Sequence, residues 1–406
     1  MKTKTFLQFV CMVMSAVLIT VLAGCPVDTG GSDDGQSEVP SHEKFNPRNQ
    51  RIIHTVWTEQ GVDNREVLGY RLEDGRFLFD HNVQLYALRL RDRNCSNHPE
   101  LLNCNRTGLH ICFDDSIYDR IITRYDEVIK PIREAGIKVI FSIVPRGVCV
   151  GNLYHWPMEE WYPWSEIEGE EEYAWGPAAV ERLMEQLVQI YRDYPFDGIG
   201  YDEEYGFTGG ALGRGEVYPN TRAYPGINEL KAWSIGGGNI LRFAHEFNLA
   251  IGKTNDEVIH ESYEIKYSSK LPPSYTYPED WPLPEGAPRT IYRDDLIDIS
   301  YEPYYGSWQA NSQNNLPRSR YGPIAIDLGF NKGGPLPPSG RSGIQSLIGD
   351  HLRLNYGVVM YYGLRERDDP HYFPSYFGPD NPLPETYLSQ ITQILHGMDT
   401  IYISPY

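Results

Sequence analysis

Phe196-Asp197-Gly198-Ile199-Gly200-Tyr201-Asp202-Glu203-Glu204-Tyr205 joins a short apolar run to three successive carboxylates. Read as a strand, Gly198 to Glu204 puts Gly200, Asp202 and Glu204 on one face, because alternate strand side chains point the same way. Two neighbouring carboxylates on a buried face are costly unless they are paired, hydrogen-bonded or protonated. Like charges this close push one carboxyl toward its protonated form, which makes it a proton donor near neutral pH. Glu203 falls on the opposite face and reads as structural, and Asp197, just before the strand, reads as a loop or capping residue. An acidic cluster at a strand end is also the pattern of a solvated turn or a cation site, so the flanking sequence has to discriminate.

Moving outward, short apolar runs alternate with helical patterns. Strands are expected at Ile52 to Trp57, Val83 to Leu90, Ile137 to Val144, Leu249 to Lys253, Leu296 to Tyr301, Pro323 to Leu328 and Gly357 to Tyr362. Helices fit Ser116 to Ala135, stopped by Gly136, then Pro177 to Tyr191, Asn228 to Phe247, Ser342 to Leu352 and Glu385 to Leu395. With the carboxylate strand, this makes eight strands joined by connections long enough for parallel crossovers, the pattern of a (β/α)8 TIM barrel. Thr58 to His81 and Lys270 to Arg289 lack a clean helical pattern and are expected to be irregular excursions. On such a barrel, Glu204 would sit at the C-terminal rim, where active sites are built.

The first residues bear on compartment. Lys2 and Lys4 precede an almost wholly apolar run from Phe6 to Leu22, which has signal-peptide length and polarity. The run ends in Leu22-Ala23-Gly24-Cys25, which resembles a bacterial lipoprotein processing site. That resemblance implies cleavage after residues 1–24, lipidation of Cys25, and a membrane partner held through acyl chains. Residues 25–50, rich in Gly, Ser, Asp and Pro, read as a flexible tether, and residues 51–406 as the barrel. The expected location is the bacterial cell envelope, at the outer membrane or cell surface. A formal net charge of -19 argues against nucleic acid and anionic lipid as main ligands. Cys95, Cys104, Cys112 and Cys149 could staple a loop or remain buried thiols, and no Cys-x-x-Cys pair suggests zinc.

The carboxylate stretch resembles glycoside hydrolase family 18, whose signature Asp-x-x-Asp-x-Asp-x-Glu reads here as Asp197, Gly200, Asp202 and Glu204. Tyr205 and Gly206 are similar to the endo-β-N-acetylglucosaminidases of the Endo H type within that family. Gly136-Ile137-Lys138-Val139 through Ser142-Ile143-Val144 is similar to that group's third strand. Tyr301-Glu302-Pro303-Tyr304-Tyr305-Gly306-Ser307-Trp308-Gln309 is similar to its sixth-strand segment, and Asn355-Tyr356-Gly357-Val358 through Tyr361 to its eighth strand.

This resemblance implies substrate-assisted retention, in which the substrate's own 2-acetamido oxygen attacks the anomeric carbon. Glu204 would be the general acid and then the base, and Asp202 would hold the acetamido N–H. Tyr304 or Tyr301 would hydrogen-bond the acetamido carbonyl, and Glu302, Tyr361 and Ser142 would complete substrate binding. No metal or cofactor is implied. The expected activity is cleavage between the two N-acetylglucosamines of an N-glycan core by a monomer. A chitinase and a non-catalytic surface glycan-binding protein are the alternatives. The sequence departs from the pattern at Gly200, where the family carries its middle aspartate, at Glu302, where the group usually carries Asn, and at Pro145-Arg146 after the third strand.

The chain holds 30 tyrosines and 8 tryptophans. Tyr154, Trp156, Trp161, Tyr162 and Trp164, with Tyr275, Tyr277 and Trp281, are expected either to wall a glycan cleft or to pack the barrel exterior.

Overall fold

The computed structural model describes residues 52–58, 63–91, 110–113, 115–144, 177–203, 229–264, 271–301, 316–323, 325–328, 341–364 and 384–406. Among them, nine parallel segments run round a barrel: β1 (Ile53–Thr58), β2 (His81–Arg91), β3 (Lys138–Val144), β4 (Gly198–Glu203), β5 (Ile259–Glu264), β6 (Ile299–Tyr301), β7 (Tyr321–Gly322), β8 (Ala325–Asp327) and β9 (Val358–Leu364). The seventh barrel strand is split. Its first part, β7, pairs with β6, and its second, β8, pairs with β9, while β9 pairs with β1 and so carries the ring back to its start. The expected (β/α)8 architecture is therefore present.

Two apolar layers follow from the period of two. Ile53, Trp57, Val83, Leu85, Ile140, Tyr263, Ile299, Tyr301, Ala325, Val358 and Met360 fill the interior. The residues between them, such as Val56, Val139, Phe141, Ile199, Tyr201 and Val359, pack outward against the helices. These are α1 (Tyr125–Glu134), α2 (Pro177–Asp193), α3 (Glu229–Ile251), α4 (Arg341–Arg353) and α5 (Pro384–His396). Gly136 ends the first of them as expected, with a positive φ and the Ile137 N–H returning to the Ile132 carbonyl. The helical run before α1 is broken at Arg124, whose N–H reaches back five residues to Asp119.

One expected strand is displaced. Leu249 to Lys253 is not a strand: Leu249, Ala250 and Ile251 are the last residues of α3. Gly252, at φ 70°, closes that helix, with Gly252 N–H on Leu249 O and Lys253 N–H on Asn248 O. The fifth barrel strand lies further on, at Ile259–Glu264. The described part of the Lys270 to Arg289 excursion, from Leu271, is mostly irregular as expected, although Ser274–Thr276 pairs antiparallel with Thr290–Tyr292 just beyond it. It packs on α3: the Tyr277 hydroxyl meets His245 Nδ1 at 2.9 Å, Trp281 donates to Glu246, and Arg242 stacks over the Trp281 ring. Tyr277 and Trp281 thus belong to the barrel's outer layer, and Tyr154 to Trp164 lie outside the described residues.

Close packing between neighbouring strands explains one glycine and frees another. A Cβ on Gly198 would stand 2.1 Å from the Ile259 carbonyl oxygen, whereas one on Gly200 would meet nothing closer than 3.4 Å, at Ile140 Cγ2. Gly198→Ala is expected to destabilise the fold by about 3 kcal/mol in urea unfolding, and Gly200→Ala by less than about 1 kcal/mol. Equal costs for the two would contradict this packing.

Candidate active site

Asp202 lies in the last turn of residues of β4, on the interior face shared with Gly198 and Gly200, and it is 8% exposed. Its register partner on β5 is Tyr263, whose own partner on β6 is Tyr301. Those two rings and Trp57 of β1 form an aromatic wall. Trp57 lies 5.2 Å from Tyr263 and 6.2 Å from Tyr301, the latter edge-on, and the two tyrosines are 6.0 Å apart. Asp202 is close enough for its charge to act on the Tyr301 hydroxyl. The interior end of β4, β5 and β6 therefore sets one carboxylate beside a buried cluster of rings, at the end of the strands where barrel enzymes act.

Tyr301 is completely buried, and its hydroxyl is fully directed. It donates to Glu261 Oε2 at 2.9 Å and accepts from the Trp57 indole N–H at 2.9 Å. Burial, and after it the adjacent Glu261 charge, raises the Tyr301 phenol well above its ordinary range, so it stays protonated. Glu261 also accepts from Thr55 Oγ1 at 3.3 Å and pairs with His81 Nδ1 at 2.5 Å. Burial alone would lower the His81 pKa, but the charge of Glu261, the hydrogen bond to it, and the more distant Asp80 and Asp298 outweigh burial and raise it.

The other expected residues separate. Ser142 faces the interior on β3, but its hydroxyl donates to the Gln84 carbonyl at 2.8 Å, where the β2–β3 register shifts. Tyr361 on β9 sits in the outer layer, against Phe79, with its hydroxyl 2.8 Å from His54 Nδ1. The alternation of β9 directs it away from the interior face that carries Asp202. Asp197 is structural: it holds Arg133 of α1 at 3.0 and 3.2 Å and accepts the Val139 N–H. Glu204, Glu302, Tyr304 and Cys25 lie outside the described residues. Among the described residues, no group of His, Cys, Asp or Glu has metal-site geometry. A cavity of about 370 Å³, lined by Asp80, His81, Lys138, Asp197, Asp256 and Asp298, opens at the opposite, N-terminal end of the strands. That end of a barrel serves stability rather than chemistry.

The sequence matches no protein-family model and no curated protein. Similar solved structures include Bacteroides thetaiotamicron EndoBT-3987 with a Man5GlcNAc product, at 15% identity and TM-score 0.49 over 86% of this chain and 62% of that one. The same enzyme with a Man9GlcNAc2Asn substrate gives 13% and 0.49, over 86% and 66%. A Group II chitinase catalytic domain from Ostrinia furnacalis gives 10% and 0.45, over 88% and 99%. The chain thus spans less than two thirds of the length of EndoBT-3987 in either structure. These likenesses leave the chemistry to be argued from the residues themselves.

Sequence reasoning missed Glu261 and His81. Glu261 stands in Ile259-His260-Glu261-Ser262-Tyr263-Glu264, a strand with almost no apolar signal, and its partner His81 is 180 residues away. The readable hint was alternation alone: Glu261 and Tyr263 share a face, as Ile299 and Tyr301 do.

Proposed function

We propose that this chain is a glycoside hydrolase of the family 18 type that cleaves the β-1,4 bond between the two N-acetylglucosamines of an N-glycan core. The observation that carries the reading is the interior carboxylate of Asp202, within the Asp197, Asp202, Glu204 pattern and beside the wall of Trp57, Tyr263 and Tyr301. The carboxylate beside those buried rings can accept the acetamido N–H of an N-acetylated sugar. Holding that group turns the acetamido oxygen toward the anomeric carbon and makes the nucleophile intramolecular. Asp202 then offsets the positive charge of the oxazolinium-like intermediate, while Glu204 protonates the leaving oxygen and later deprotonates water. Tyr304, Glu302 and Ser142 are assigned to substrate binding. The segment Tyr301 to Gln309 supports the N-glycan core as substrate through its likeness to the Endo H type.

A chitinase would use the same Asp202 and Glu204 chemistry on N-acetylglucosamine polymers, and nothing in those two residues separates the substrates. We assign the chain, through Cys25, to the cell envelope as a lipid-anchored monomer. One assay tests the reading: the form lacking residues 1–25 is incubated with a high-mannose glycoprotein and with a chitin oligomer. The expected result is loss of glycan mass from the glycoprotein. Cleavage of the oligomer alone would transfer the reading to chitinase, and binding without cleavage of either would make the chain a glycan-binding protein.

A further inference from the structure

Inside the barrel, below Asp202, lies an ion pair that packing alone does not require. Glu261 is 0% exposed, and its interior register partners are the apolar Ile299 on one side and Gly200 on the other. Burying a carboxylate and an imidazolium costs several kcal/mol per ion before their attraction returns any of it, and apolar residues of similar volume commonly do as well. The pair also has a definite direction. The Trp57 indole is a donor only, so Tyr301 must accept from it and spend its own hydrogen on Glu261. His81 supplies the counter-charge on the other carboxylate oxygen.

We propose that Glu261, balanced by His81, is a positioning residue of the active site, which fixes Tyr301 and Trp57 as the rigid wall beside Asp202. Glu261 is in register with Gly200, whose missing side chain leaves it as the interior carboxylate one step below Asp202. His81, 2.5 Å away, pairs with it, so this carboxylate is held within the layer beneath Asp202. Without the Glu261 acceptor, the Tyr301 hydroxyl would be free to turn toward Asp202, and the Trp57 ring would lose the atom that orients it. A site held within a fraction of an ångström by such supporting hydrogen bonds loses turnover before it loses binding.

This inference rests on the reading of Asp202 and Glu204 as the catalytic pair. The test is steady-state kinetics on whichever glycan the wild type cleaves, with melting temperatures taken in parallel. Glu261→Leu, which removes the acceptor, and Tyr301→Phe are each expected to lower kcat at least tenfold with KM within threefold, and Glu261→Asp to recover part of the loss. The double variant Glu261→Leu with His81→Leu, apolar at both positions, is expected to keep the low kcat even where its melting temperature returns to that of the wild type. Should Glu261→Leu fail to fold, Tyr301→Phe decides, since it keeps both the ring and the ion pair. Variants with kcat within twofold of the wild type overturn the proposal, as does a double variant that regains kcat together with stability. A wild type inactive on both glycans overturns the hydrolase reading and this inference with it; an active wild type with unaffected variants overturns the inference alone.

Discussion

Glu204→Gln is expected to lower kcat by about a thousandfold while leaving glycan affinity within a few-fold, because the amide keeps the shape of the acid but has no acidic proton to give. The leaving sugar would then depart as an alkoxide, and the incoming water would lack its base. Asp202→Asn is expected to act earlier. Its amide oxygen can still accept the acetamido N–H, so binding survives, but the negative charge that offsets the oxazolinium-like intermediate is gone. A loss of about a hundredfold in the first step is expected, read from single-turnover kinetics. The two losses should not add in the double variant, because acid and orienting group serve one transition state. Isothermal titration of the Gln variant with an uncleaved glycan separates binding from chemistry. A near-normal rate for Glu204→Gln would remove Glu204 from the mechanism, and an Asp202→Asn variant with full turnover would remove the substrate's acetamide as nucleophile.

The residues that sequence reasoning located share a property: their meaning is local. Alternation along its strand places Asp202 on the interior face, and that face is where it lies. Gly136 marks a helix end because a residue tolerant of positive φ closes a helix that way, and its φ is 88°. The strand after α3 was not legible for the converse reason. Leu249-Ala250-Ile251 supplied the apolar run that marks a buried strand, yet those residues form the last turn of an amphipathic helix. The true strand carries His260, Glu261, Ser262 and Glu264, a composition that elsewhere signals a solvated loop. Its polarity makes sense only with His81, Thr55 and Tyr301 brought in from three other strands. Tyr361 fails similarly. Val358-Val359-Met360-Tyr361-Tyr362 is apolar on both faces, so its period cannot tell the interior from the helix layer, and only the packing of Tyr361 on Phe79 does so.

Acid should unfold this protein through a histidine remote from the proposed chemistry. His351, in α4, is completely buried, and among the described residues neither ring nitrogen has a hydrogen-bond partner. The ring lies against Tyr356, 5.6 Å between centroids. Burial lowers its pKa from 6.5 to about 3, so the folded protein holds it neutral. The unfolded chain takes up a proton near pH 6.5 and the folded one only near pH 3, so between these values the unfolded state binds more protons. Stability from this site is therefore full above about pH 6.5 and is lost progressively as pH falls toward 3, by about 3 kcal/mol at pH 4. His245 and His396 are also lowered by burial and push in the same direction. His351→Leu removes the titrating group and keeps an apolar side chain in its place. Its unfolding free energy in urea is expected to fall less between pH 7 and pH 4 than that of the wild type, with the difference close to the loss assigned to His351. Parallel pH profiles for the two proteins would mean that the folded protein admits a proton to His351, and that the barrel loosens around α4 before it unfolds.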